Sequence, residues 1–181
     1  MSFIAVVLTG AAAQNHHHQG HAAEMRQTQT GKADPAFQKQ LAAVAQANFA
    51  LGEALVESNF AKAAKAAKGV HASLTKVDMH LLKDEAHTKW MSQLKTLETG
   101  AAEIAAASNL NDQRKAYAGF SQALYQSLKQ FGTNGAQVYY QHCPMALNNK
   151  GAYWVSNKKE IRNPYFGDMM LKCGTTKETL N

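Results

Sequence analysis

A chain of 181 residues with 45% hydrophobic and 18% charged side chains is long enough for one globular domain that folds without a disulfide framework. Alanine supplies 32 residues and aromatics only 8%, and the three prolines (Pro35, Pro144, Pro164) leave positions 36–143 without one; this composition favours close-packed helices and excludes an all-β sandwich, a collagen-like chain and a multi-pass membrane protein. The formal charge of +6 lacks the dense basic stripe with interleaved aromatics that nucleic-acid binding needs, so nucleic acid is not an expected partner.

Residues 1–23 hold no Asp, Glu, Lys or Arg, and the apolar run Phe3–Leu8 leads into Gly10-Ala11-Ala12-Ala13. That pattern reads as an export signal over residues 1–13, although it lacks the basic residue that usually precedes the apolar run. It places the protein in the periplasm, and no membrane span is expected in the mature chain because the run is too short to cross a bilayer. A flexible tail over 14–33 follows, carrying His16, His17, His18 and His21. Four imidazoles in six residues can capture Cu(II), Zn(II) or Ni(II), with little selectivity because nothing fixes their geometry.

Residues 34–132 predict an up-down four-helix bundle, since four runs with apolar steps of three and four are joined by short links. Asp34-Pro35 starts the first, with the row Phe37, Leu41, Val44, Asn48, Leu51, Leu55. Ser58 or Asn59 caps the second, whose row runs from Phe60 through Ala63, Ala67, Val70, Leu74 and Val77 to Leu81. Asp84 is the expected cap of the third, with His87, Trp90, Leu94, Leu97, Ala101 and Ile104. Asn111-Asp112 opens the fourth, with Tyr117, Phe120, Leu124, Leu128 and Phe131, closed by Gly132. His87 and Met91 lie one turn apart and could face one metal ion, although Met also fills core gaps and His also bonds inside bundles.

Residues 133–181 predict a small module packed on the bundle. It holds a β-hairpin, Val138–Cys143 and Gly151–Ser156, around Asn148-Asn149-Lys150-Gly151. Both cysteines of the chain fall here, with Cys143 two before Met145 and Cys173 three after Met170. Two thiolates and two thioethers are soft donors that favour Cu(I). With only Cys143, Cys173 and His142 close at hand, a zinc site is short of its four ligands. The alternative is a Cys143–Cys173 disulfide, closing a loop of about 30 residues and worth about 3–4 kcal/mol in the chain-entropy picture. Catalysis is not expected: His142 and Cys143 are strand neighbours that point to opposite faces, and no other nucleophile–base set is evident.

The strings Cys143-Pro144-Met145-Ala146, Gly151–Ser156, Glu160–Gly167 and Met170–Gly174, together with Asp84–Trp90 and Gln113-Arg114-Lys115, resemble a bacterial family known only as a domain of unknown function. Its members are small exported proteins and C-terminal extensions of periplasmic adaptor proteins in copper/silver efflux pumps. The resemblance spans about residues 35–175 and implies a copper-related role, with Cys143, Met145, Met170 and Cys173 as the matching positions and Trp154 and Tyr165 as packing around them. Two functions follow as expectations. One is a periplasmic copper buffer or chaperone linked to metal efflux; the other is a non-catalytic module docking on an efflux adaptor, with the cysteines as a structural bridge.

Overall fold

The computed structural model describes Met1 and residues 33–181, so the expected signal and His-rich tail lie outside the described residues. Four helices, α1 (Pro35–Val56), α2 (Phe60–Leu74), α3 (Asp84–Ala106) and α4 (Leu110–Phe131), precede a C-terminal module. In that module β1 (Val138–Cys143) and β2 (Ala152–Ser156) are joined by a short turn over Ala146–Asn149, and β3 (Thr175–Leu180) ends the chain.

The apolar rows bury as their spacing requires. Phe37, Leu41, Val44, Leu51 and Leu55 of α1 meet Ala63, Ala67, Val70 and Leu74 of α2, Trp90, Leu97 and Ile104 of α3, and Phe120, Leu124 and Leu128 of α4 in one core. Each fully buried Leu or Phe contributes about 1.5–3 kcal/mol. α1 packs on α2, α2 on α3 and α3 on α4, with further contacts between α1 and α4. Phe37, Trp90 and Phe131 form an edge-to-face trio, with ring centroids 5.1, 5.2 and 6.0 Å apart.

The helix starts partly differ from the expected ones. Asp34 caps α1, its carboxylate accepting from the Ala36 amide at 2.7 Å, and Asn59 caps α2 through the Lys62 amide at 2.9 Å. Asp84, however, is the first residue of α3, at a φ of +49°, and makes no side-chain cap; α4 is capped by Asn109, which accepts from the Asp112 amide at 3.0 Å. The second row also breaks earlier than Leu81. Thr75 ends α2, and a 3-10 turn over Met79–Leu81 is capped by Asp78, whose own amide donates to Gln40 Oε1 at 2.8 Å.

The sheet is antiparallel with order β2-β1-β3, one strand more than the expected hairpin. Its edge strand β2 rests on α1 and α4. There the Val155 carbonyl accepts from Asn48 Nδ2 at 3.2 Å and the Val155 amide donates to Ser121 Oγ at 3.0 Å, so helix side chains satisfy the open side of that edge. Tyr125 of α4, Tyr140 of β1 and Tyr153 of β2 stack in series on one face of the strands, with centroids 3.6 and 4.7 Å apart. Gln141, Cys143 and Trp154 point to the opposite face, where they meet Lys158, Cys173 and Tyr165 of segment 157–174.

Two helical glycines test this packing. A Cβ at Gly100 would lie 2.8 Å from Phe120 Cβ, whereas one at Gly69 meets nothing within 4 Å. Gly69→Ala is therefore expected to raise stability by about 0.5–1 kcal/mol. Gly100→Ala is expected to lower it, because overpacking of about 1–3 kcal/mol outweighs the gain in helix propensity. Urea unfolding midpoints of the two variants check the opposite signs.

Candidate metal centre

Cys143 is the last residue of β1 and is fully buried; Cys173 is half-buried, just before β3. Both are free thiols with their Sγ atoms 2.9 Å apart. Thirty residues of chain meet here because segment 157–174 folds back over the sheet. Asn163, itself fully buried, is its clamp: Nδ2 donates to the Cys173 carbonyl at 2.8 Å, Oδ1 accepts from the Tyr165 amide at 2.8 Å, and its backbone bonds Leu171 and Gly167. At Gly174 (φ +142°) a Cβ would sit 2.8 Å from the His142 carbonyl and the Trp154 ring. At Gly167 (φ +58°) it would sit 2.6 Å from Ser58 Oγ and the Val56 carbonyl. The chain therefore requires glycine at both of these points in the cover.

Two cations tie the cover to the helices. Arg162 and Lys158 meet Glu53 of α1 at 3.0 and 2.9 Å. Burial pulls the Glu53 carboxyl up, but hydrogen bonds from Lys158 and Arg162 outweigh it and leave it below the usual carboxylate range. Arg114 of α4 donates from Nε to the Pro164 carbonyl at 2.8 Å, and from Nη2 to the Leu55 carbonyl at 3.2 Å and Ser58 Oγ at 3.0 Å. Tyr165 packs between Tyr117 and Trp154, and its hydroxyl donates to the Tyr153 carbonyl.

The other expected ligands distribute unevenly. Met145 (46% exposed) and Met170 (half-buried) line one cleft beside the module, close in sequence to the two thiols. His142 does not join them: strand alternation turns it to the opposite face, where its ring lies 4.2 Å from that of Tyr153. Burial and the nearby Lys177 lower its pKa, which favours the neutral imidazole. His87 and Met91 sit on α3, which packs on α2, α4 and the 3-10 turn, whereas the strands pack on α1 and α4; these two are not brought to the cysteines. His16, His17, His18 and His21 lie outside the described residues. Among the described residues, no three His, Cys, Asp or Glu side chains gather where they could hold a metal ion. Sequence reasoning missed Asn163 and Arg114 as positioning residues: Asn163 lies in an irregular segment with no periodic signal, and Arg114 on α4 reads as an ordinary exposed helix cation.

The hydrogen bond to Cys143, with burial, raises the Cys173 pKa above the usual thiol value. A group that holds its proton more tightly when folded stabilises the fold at lower pH and loses that contribution as pH climbs through its folded pKa. The reduced protein is therefore expected to lose stability above about pH 8.5, the ordinary thiol range, more steeply than Cys173→Ser. Thermal melts between neutral and alkaline pH under reductant compare the two slopes. Asn163→Ala, which orphans the Tyr165 amide and the Cys173 carbonyl, is expected to cost about 1–3 kcal/mol in urea unfolding.

The sequence pattern of the family described as "Protein of unknown function (DUF3347)" matches residues 44–136, just over half of the chain. The matched stretch covers most of the helices and stops before both cysteines. No curated protein and no solved structure matches. By that match, the chain belongs to the DUF3347 family.

Proposed function

We propose that this is an exported, non-catalytic copper-binding protein, a buffer or chaperone that works beside heavy-metal efflux in the periplasm. The observation that carries the reading is the pair of free thiols, Cys143 at the end of β1 and Cys173 just before β3, with their sulfurs 2.9 Å apart. Two thiolates side by side are a soft donor pair, and Cu(I) accepts so low a coordination number where a tetrahedral zinc site wants four ligands. Met145 and Met170 supply thioethers at the neighbouring cleft, fit for passing a soft ion inward. In this reading the histidine tail collects metal, the thiol pair holds it, and an up-down bundle carries the pair and docks on an efflux adaptor.

The test is an anaerobic Cu(I) competition titration on the reduced full chain with His16, His17, His18 and His21 replaced by Ala, so that those four imidazoles cannot respond. One tightly held Cu(I) per chain is expected, and its loss in a further Cys143→Ser/Cys173→Ser variant. Apparent affinity should rise with pH, because binding displaces the proton that Cys173 holds tightly. Unchanged affinity in the cysteine variant contradicts the reading.

One observation favours a second reading. Cys143 is fully buried with its sulfur against Cys173, an arrangement equally suited to a bridge that staples the cover to the sheet. The protein would then be a docking module, and its exported form would hold no reactive thiol, a melting temperature lowered by reductant, and no response to copper.

A further inference from the structure

The cleft beside the module, of about 710 Å³, lies within the range of small-molecule sites. Its lining combines three cations, Arg114, Lys115 and Lys150, with one acid, Asp112. Arg114 decides its character. The residue is only 6% exposed, yet its guanidinium meets only neutral oxygens, those of Pro164, Leu55 and Ser58, and no carboxylate among the described residues. Those bonds use Nε and Nη2, and Nη1 takes no part in them. A guanidinium fixed on one side, with donors to spare and no counter-ion, is pre-ordered for a planar oxyanion. Asp112 is engaged by Asn109 Nδ2 at 2.7 Å. The lining also holds an apolar wall from Leu147, Tyr165, Phe166 and Met170.

We propose that this cleft binds a small organic carboxylate, with Arg114, Lys115 and Lys150 receiving the carboxylate while Tyr165, Phe166 and Met170 cover its hydrocarbon body. Inorganic phosphate has no use for that apolar wall, which is why the assignment is to a carboxylate with an apolar body. The cleft shares Met145 and Met170 with the copper reading, but neither cysteine lines it, so carboxylate binding does not need the thiol pair.

The test is an NMR titration of the reduced, metal-free full chain carrying 13C-methyl methionine, with benzoate, hexanoate and inorganic phosphate as probes. Met145 and Met170 report from the cleft, and Met91 on α3 serves as the distant reference. Saturable shifts at Met145 and Met170 but not at Met91 are expected for both carboxylates, with phosphate weaker. The exposed pair Lys115→Gln/Lys150→Gln should weaken binding about fivefold, and Asp112→Asn should tighten it. No saturable shift, phosphate binding as well as the carboxylates, or unchanged affinity in the lysine variant would each overturn the proposal.

Discussion

The module depends on one buried amide. Asn163 spends its side chain on two backbone groups, the Tyr165 amide and the Cys173 carbonyl, and so fixes both ends of the turn that lays Cys173 over Cys143. A buried amide that satisfies two backbone groups is costly to replace, because removing it strands both partners away from water. Among the described residues, the thiol pair and the cleft rimmed by Met145 and Met170 both adjoin this turn.

The helices supply the platform, and the join between the two parts is polar as well as apolar. Asn48 and Ser121 grip the exposed edge of β2 at Val155, Glu53 holds Lys158 and Arg162, and Arg114 reaches from α4 to both the end of α1 and the turn at Pro164. Such contacts fix a docking register that hydrophobic burial alone would leave loose. The family match falls almost wholly on the platform, whereas both cysteines belong to the part laid upon it. What the helices share with other family members and what the thiols do are therefore separate questions.

The helical part was legible because each helix buries one stripe, and a stripe repeats every three or four residues. Legibility failed where local bonds compete with that pattern. Asp78 and Gln40 draw the chain out of α2 before Leu81, and Asn109 rather than Asn111 captures the first amides of α4. β3 was invisible because Thr175-Thr176-Lys177-Glu178-Thr179 is mostly exposed and shows no apolar alternation; only its threonines hinted at a strand. At the candidate site, spacing suggested that Cys143, Cys173 and His142 belong together, and strand alternation in the fold separates His142 from the two thiols. Spacing could not show that His87 and Met91 lie on a helix away from the strands, since their pairing depends on tertiary packing rather than on one helical turn.

The proposed function rests on the two thiols forming a soft-metal site. X-ray absorption at the copper edge, on the reduced full chain with the four tail histidines replaced and one Cu(I) added, tests it most directly. A first shell made of sulfur alone, lost when both cysteines are replaced by Ser, is the predicted result. A shell of nitrogen and oxygen donors, or one unchanged by the cysteine replacement, would contradict it.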